Sequence, residues 1–152
     1  MDVRTQLRRF GTVALCAAAI AAASCDEPLR DITGPTPNLV PTFDSIRTEI
    51  FQTTDASGRA SCVNCHTTAG RTFTAGLDLS VDPYAALVNV VSTERRDLML
   101  VMPGNPEASY LIHKLEGRSG IVGLRMPRSG PPHLTTGQID VIKRWIEIGA
   151  PR

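Results

Sequence analysis

The chain has 152 residues, of which 42% are hydrophobic and 20% are charged, and these values fit one folded domain rather than two and argue against wholesale disorder. Its 16 basic and 15 acidic residues give a net charge of +1, so there is no electrostatic reason to expect nucleic-acid binding. Only 5% of the residues are aromatic, so few large side chains are available to build a core, and a bound non-protein group would help to fill it.

The first 24 residues have the features of an export signal. A basic start with Arg4, Arg8 and Arg9 precedes residues 10–24, which form a run of 15 residues without a charge. A transmembrane helix needs about 20 apolar residues, so this run is too short to span a membrane comfortably. The pattern predicts a signal peptide over residues 1–24 and an exported protein of the periplasm or cell envelope.

Small residues end this signal directly before Cys25, in the order Ala22-Ala23-Ser24-Cys25. This arrangement resembles the lipobox of bacterial lipoproteins, in which cleavage makes the cysteine an acylated N-terminus. The resemblance implies a lipid on Cys25 that tethers the protein to a membrane. Ala22 stands where the family usually has Leu, so cleavage by an ordinary signal peptidase is the alternative. A buried Ala-rich helix is disfavoured because the segment is not amphipathic.

A linker is predicted between Cys25 and the folded domain. Residues 25–42 contain Gly34 and four prolines, at positions 28, 35, 37 and 41. This composition favours an extended segment without a core. The folded domain is therefore predicted over residues 43–152.

The first two predicted helices have clear start signals and apolar faces. The first follows Thr42 or Asp44, either of which can cap it, and the second opens with Asp82 as cap and Pro83 at its first position. The apolar faces consist of Phe43, Ile46, Ile50 and Phe51 in the first helix and of Tyr84, Leu87, Val88 and Val91 in the second. Residues 67–76 form a polar stretch that is predicted to be loop.

Two further helices are predicted in the C-terminal half, one over residues 107–116 and one from Thr135 onwards. Their start and stop signals are Asn105-Pro106 and Gly117 for the third helix, and the capping-box pair Thr135/Gln138 and Gly149 for the fourth. The apolar face of the fourth helix consists of Ile139, Ile142, Trp145 and Ile146. Residues 98–102 are a brief apolar run that could form a lone strand. Because no useful alternating pattern occurs elsewhere, an all-α fold is predicted.

The strongest signal in the chain is the motif Cys62-Val63-Asn64-Cys65-His66. The spacing C-x-x-C-H is typical of covalent attachment of a c-type haem. Two cysteines three positions apart lie on one face of a helical turn, so both thiols can add to the vinyl groups on one haem edge. The following histidine can then give an imidazole nitrogen to the iron. The sequence therefore predicts one covalent haem c bound by Cys62, Cys65 and His66.

Cys62 and Cys65 have alternative roles. A redox-active dithiol also uses C-x-x-C, but it requires a preceding strand in a βαβ unit, and a helix is predicted here instead. A structural zinc site requires four ligands, and the folded part contains no second cysteine pair. Haem attachment is favoured, and thiol chemistry remains the interpretation if no haem attaches.

From Phe43 to Arg152 the chain resembles a class I c-type cytochrome domain. Three features carry the resemblance: the C-x-x-C-H motif after an opening helix, the loop at residues 125–132 with sequence R-M-P-R-S-G-P-P, and the final stretch at residues 134–150. Residues 101–117 are also similar to a stretch found in environmental bacterial members. The resemblance implies a small all-α fold wrapped around one covalently bound haem.

The family places the second axial ligand, a methionine, in a loop before the last helix, and Met126 matches that position. A thioether is a soft ligand that suits low-spin haem iron and raises its reduction potential. Pro127 favours an extended backbone at Met126, which helps to present the side chain from a loop. The alternatives are His133, an open coordination position and Met102, although Met102 follows an apolar run and is expected to pack in the core. Candidates for polar contacts with the haem propionates are Tyr110, Arg125 and Trp145. A role in the core is the favoured alternative for Tyr110 and Trp145, and a solvated charge is the alternative for Arg125.

The resemblance implies one-electron transfer rather than enzymatic catalysis. An iron bound by both His66 and Met126 has no open position, which disfavours oxygen or peroxide chemistry. The implied partners are a redox donor and acceptor that bind transiently, and a membrane reached through the lipid on Cys25. Two alternatives remain: a haem-bearing subunit of a larger exported oxidoreductase, and a haem sensor or peroxidase-like protein with a labile sixth ligand.

Overall fold

The computed structural model describes residues 34–68 and 75–152. The predicted signal peptide, Cys25 and the linker up to residue 33 lie outside the described residues, as do residues 69–74 of the predicted polar loop. In the two described ranges, none of the helices combines the length and apolar character that a membrane crossing requires.

Helices are the regular elements of residues 34–68 and 75–152, and no strand of two or more paired residues forms there. The α-helices are α1 (Phe43–Ile46), α2 (Pro83–Leu87), α3 (Tyr110–Glu116) and α4 (Thr136–Glu147). Helix α1 continues into a π-helical turn at Arg47–Gln52, and 3₁₀ turns cover Cys62–Asn64 and Pro106–Ala108. The described part is thus helical without strands, as predicted. More of its residues lie in loops than in helices.

The predicted helix starts are confirmed by their hydrogen bonds. Thr42, rather than Asp44, caps α1 by accepting the backbone N–H three residues later, and Asp82 does the same for α2. Thr135 and Gln138 form the reciprocal capping box of α4, each side chain binding the other residue's backbone N–H. Each cap satisfies N–H groups that have no partner within the helix.

Helix α2 is shorter than its predicted apolar face. It ends at Leu87, and Val88 and Val91 form isolated backbone bridges with residues 98–102 instead of continuing the helix. Asn89 has a φ of +60°, which turns the chain out of the helical path. Valine loses side-chain freedom in a helix and favours extended backbone, so pairing with the distant apolar run outweighs the helical period. The lone strand considered for residues 98–102 exists only as these bridges.

The third predicted helix is interrupted at Ser109. The 3₁₀ turn Pro106–Ala108 ends there, Ser109 is extended, and α3 begins at Tyr110. The Ser109 hydroxyl donates to the backbone carbonyl of Asn105 at 2.8 Å and accepts the N–H of Met102 at 2.9 Å. A serine that binds backbone groups in this way competes with helical hydrogen bonding, and this competition explains the break.

The core lies between α1, α4 and the segments that connect them. Trp145 on α4 is fully buried, and its ring centroid is 5.8 Å from that of Phe43 on α1. Phe43 also makes an edge contact with Tyr84 of α2 at 5.1 Å. The indole N–H of Trp145 donates to the carbonyl of Pro151 at 2.8 Å. Trp145 therefore has a place in the core, with its one polar atom bound to the C-terminal backbone.

The end of the segment predicted as a linker packs on the domain. Leu39 belongs to the core with 5% exposure, and Thr36 is also buried. The Gln138 side chain on α4 donates to the Thr36 hydroxyl at 3.0 Å. The packed part of the chain therefore begins before Phe43, because one apolar side chain among the prolines finds a place on the core. Residues 34–42 thus differ from the core-free linker that their proline content predicts.

Candidate functional site

The C-x-x-C-H motif forms one tight turn. The 3₁₀ turn Cys62–Asn64 begins it, and the N–H groups of Cys65 and His66 both donate to the carbonyl of Cys62, at 3.2 and 2.9 Å. Both cysteines are free thiols; Cys62 is half-buried and Cys65 is exposed. The three residues predicted to bind haem are thus presented from a single turn.

Cys62 is fixed by the end of the preceding π-helical turn. Its thiol donates to the carbonyl of Ile50 at 3.6 Å, and the Arg59 guanidinium donates to the same carbonyl at 3.3 Å. Burial raises the pKa of the Cys62 thiol to about 11, and the positive charge of Arg59 offsets only part of this. The thiol is therefore protonated at neutral pH. Because the thiolate is the species that attacks disulfides, this environment argues against thiol exchange by Cys62.

His66 presents a neutral imidazole with an unsatisfied nitrogen. Its Nδ1 is buried and has no hydrogen-bond partner in residues 34–68 and 75–152. Burial lowers the pKa of the imidazole below its ordinary value of 6.5, and the backbone of Leu77 offsets this only in part. Neutral imidazole is the form that binds metals. The environment of His66 therefore fits a ligand of haem iron.

Met126 lies in the loop after α3 and is half-buried against the same core on which Cys62 packs. Its N–H donates to the carbonyl of Lys114, in the last turn of α3, at 2.9 Å. The charge of Lys114 also acts on the His66 imidazole and contributes to its lowered pKa. Met126 is therefore held by its backbone at the C-terminal end of α3.

The alternative ligands differ in their surroundings. The Met102 side chain is 37% exposed, so the core position expected from the apolar run before it does not occur. His133 is half-buried, and its Nδ1 has no hydrogen-bond partner among the described residues. A Cβ atom on Gly130 would clash with this nitrogen, so the absence of a side chain there makes room for the ring. His133 thus remains an alternative to Met126.

A polar cluster that contacts the loop before Met126 was not anticipated from the sequence. Glu94 accepts hydrogen bonds from the Tyr110 hydroxyl at 2.9 Å and from the Lys114 ammonium at 3.2 Å. Tyr110 and Lys114 are only 2% and 9% exposed. The sequence contained one indication of this cluster: Lys114 follows Tyr110 by four residues on the apolar face of a predicted helix, where a lysine needs a polar partner. The polar partner of Tyr110 is thus a carboxylate of the chain itself.

Arg125 also forms its hydrogen bonds with groups of the protein itself. Its guanidinium donates to the backbone carbonyls of Leu115 at 2.7 Å and Leu134 at 3.4 Å. Arg125 therefore joins the Met126 loop to α3 and to the start of the last helical segment.

Among residues 34–68 and 75–152, no three or more His, Cys, Asp or Glu side chains form a cluster that could hold a metal ion. A c-type haem does not require such a cluster, because its axial ligands are one histidine and one methionine. No protein-family model matches the chain, and no curated protein or solved structure shows significant similarity to it.

Proposed function

We propose that the protein is an exported monohaem c-type cytochrome that transfers single electrons and is not itself an enzyme. The observation that carries this proposal is the Cys62–His66 turn, in which two free thiols precede a half-buried imidazole whose Nδ1 has no hydrogen-bond partner among the described residues. Cys62 and Cys65 would bind the haem through thioethers, and His66 and Met126 would be the axial ligands of its iron. The bound haem supplies one-electron redox chemistry.

The residues of the chain would set the properties of the haem. Cys62 and Cys65 hold it in either oxidation state, because thioether bonds do not depend on the charge of the iron. The thioether of Met126 favours the reduced iron and so raises the potential. The apolar core against which Cys62 and Met126 pack would exclude water from one side of the haem. These roles need a small helical domain that encloses one haem, and the helices without strands are compatible with that fold.

The cellular setting is part of the same proposal. Residues 1–24 would direct export, and a lipid on Cys25 would hold the domain near membrane-bound redox partners. Attachment of c-type haem takes place outside the cytoplasm, which agrees with an export signal. The donor and the acceptor would bind transiently, because a carrier must release each partner quickly. Nucleic acid is not an expected partner.

The optical spectrum of the full chain, produced with a c-type maturation system, tests this function. We expect covalent haem, together with the weak far-red sulfur-to-iron charge-transfer band in the ferric protein. Loss of covalent haem in Cys62→Ser/Cys65→Ser is the matched negative control. A wild-type protein without covalent haem would overturn the proposal and leave thiol chemistry for the two cysteines.

Two methionine variants test the axial ligand. Met126→Leu should remove the far-red band and lower the reduction potential, whereas Met102→Leu should change neither, because Met102 is partly exposed and its N–H is bound to Ser109. Covalent haem without the band in the wild type would favour His133 or an open position. An open position would bind carbon monoxide without mutation, which is the behaviour of a sensor or peroxidase-like protein.

A second function, that of a haem-bearing subunit of a larger exported oxidoreductase, draws on the exposed apolar side chains of the Met126 loop. Val122 and Leu124 are 47% and 58% exposed. Neighbouring exposed apolar residues are typical of surfaces that are covered in an assembly. A stable oxidoreductase partner that co-purifies with the haem protein would support the subunit role, and a haem protein that elutes as a monomer would support the free carrier.

A further inference from the structure

Two side chains from one face of α3 hold both backbone polar groups of Val122. The Tyr110 hydroxyl accepts the Val122 N–H at 2.9 Å, and the Lys114 ammonium donates to the Val122 carbonyl at 2.7 Å. Tyr110 and Lys114 are four residues apart, so they are neighbours on the helix surface. Val122 itself is half exposed. The loop is therefore held here by the backbone of Val122 rather than by burial of the Val122 side chain.

Glu94 orients both of these groups. One of its oxygens, Oε2, accepts from the Tyr110 hydroxyl at 2.9 Å and from the Lys114 ammonium at 3.2 Å. Because the tyrosine proton points to Glu94, a lone pair of the hydroxyl oxygen remains for the Val122 N–H. The carboxylate also balances the charge of the buried ammonium group. The three side chains thus form one unit that binds Val122.

The loop is held at a second place, directly at Met126. The carbonyl of Lys114 accepts the Met126 N–H at 2.9 Å, and the carbonyl of Leu115 accepts from the Arg125 guanidinium at 2.7 Å. Carbonyls in the last turn of a helix have no partner within the helix, so the loop supplies what α3 lacks. Residues 118–126 are therefore fastened to α3 both in the middle and at the end.

We infer that Tyr110 and Lys114 are positioning residues for Met126, which hold its loop against α3 and so keep the thioether available to the iron. This inference rests on the proposed function, since it concerns Met126 as an axial ligand. Neither residue touches the iron; each acts through the backbone of Val122. Without this contact the loop loses one of its attachments to α3, and the bound state of Met126 competes less well with external ligands.

Titration of the ferric full-chain protein with imidazole tests the inference, because imidazole binds iron only when Met126 leaves. Lys114→Met removes the ammonium group, and Tyr110→Phe removes one hydroxyl from an otherwise intact ring. Each change removes a hydrogen bond that holds the loop, and we expect imidazole to bind about fivefold to tenfold more tightly than to the wild type. In both variants the far-red band should be weaker than in the wild type. Arg144→Met is the matched control, because Arg144 forms an exposed ion pair with Glu147 within α4 instead.

Hydrogen exchange over residues 117–126 provides a second measurement that does not use an added ligand. Faster exchange in Tyr110→Phe than in Arg144→Met supports the inference, and Tyr110→Phe serves alone if Lys114→Met does not fold. Covalent haem with equal imidazole affinities in all variants would overturn the inference and leave the proposed function intact. Absence of covalent haem in the wild type would overturn both.

Discussion

Arg59 shows how much a single buried side chain can organise. Its side chain is fully buried and pairs with that of Asp55 at 2.9 Å. The guanidinium also donates to the backbone carbonyls of Glu49, Ile50, Thr53 and Ala60. Two of these carbonyls belong to the π-helical turn, where the end of the helix leaves acceptors without partners. Arg59 thereby joins α1 to the segment that leads into Cys62.

Replacing Arg59 should be one of the most damaging changes in the chain. Arg59→Met leaves the Asp55 carboxylate buried without its cation, and we expect a loss of about 3 kcal/mol in the free energy of unfolding. Arg47→Met is the control, since its ion-pair partner Asp44 is 85% exposed, and it should cost less than about 1 kcal/mol. Urea denaturation of both variants measures the difference. Equal losses would show that the buried pair is not important for stability.

The same pair should make stability depend on acid pH. Burial alone would raise the pKa of Asp55, but hydrogen bonds from Ser57 and Arg59 and the charge of Arg59 outweigh it and lower the pKa below 3.8. A carboxyl with a lower pKa in the folded than in the unfolded state stabilises the fold above its unfolded pKa. This contribution is lost as the pH falls through the folded pKa.

We therefore expect the free energy of unfolding to fall as the pH is lowered below about 4. Asp55→Asn should be less stable than the wild type at neutral pH and should show a weaker decrease in acid. Asp44→Asn, a change at an exposed site, is the control and should keep the wild-type pH dependence. Unfolding curves at several pH values measure these slopes, and an unchanged slope in Asp55→Asn would contradict the assignment.

At the scale of elements, α3 shows how a helix end and a loop depend on each other. Gly117 ends the helix with a φ of +72°, and its N–H donates to the carbonyl of His113 at 2.9 Å. A Cβ atom on Gly117 would lie 3.0 Å from the Arg125 side chain. Glycine is therefore required here both for the left-handed backbone and for the close approach of the loop that carries Met126.

Gly117→Ala should cost about 1–2 kcal/mol of stability, because it adds strain to the left-handed backbone and displaces Arg125. Gly58→Ala is a control that separates these two effects, since Gly58 has a φ of +85° but a Cβ atom there would meet nothing within 4 Å. We expect Gly117→Ala to lower the melting temperature more than Gly58→Ala does. An equal decrease would mean that Arg125 accommodates the added methyl group without cost.

At the scale of the whole molecule, the folded unit includes residues that precede its first helix. Leu39 is buried in the core, and Thr36 accepts a hydrogen bond from Gln138, which is 102 residues away along the chain. These contacts join the segment before α1 to α4. A domain boundary at residue 43 would therefore remove part of the core.

Leu39→Ala tests this boundary. Truncation of a buried leucine near the edge of a core should cost about 2 kcal/mol or slightly more. Val40→Ala, at a side chain that is 49% exposed, should cost less than about 1 kcal/mol. Thermal or urea unfolding of both variants measures the contrast. A negligible effect of Leu39→Ala would restore the boundary at residue 43.

The amino-acid sequence by itself determined the features that depend on residues close together in the chain. Thr42, Asp82 and Thr135 cap their helices as predicted, and Gly117 ends α3. Each of these signals acts through backbone groups within about four residues, so no distant partner is needed. The turn at residues 62–66 is equally local, because the spacing that predicts haem attachment lies within one turn.

Only the tertiary structure decided the features that depend on distant partners. Helix α2 ends at Leu87 because the backbone beyond it pairs with residues 98–102. Lys114 is buried because Glu94, 20 residues earlier, supplies its counter-charge. Leu39 is buried because its side chain packs in the core. Local patterns cannot show which distant groups will meet, since the energy of such pairings comes from burial and from charge partners that the fold brings together.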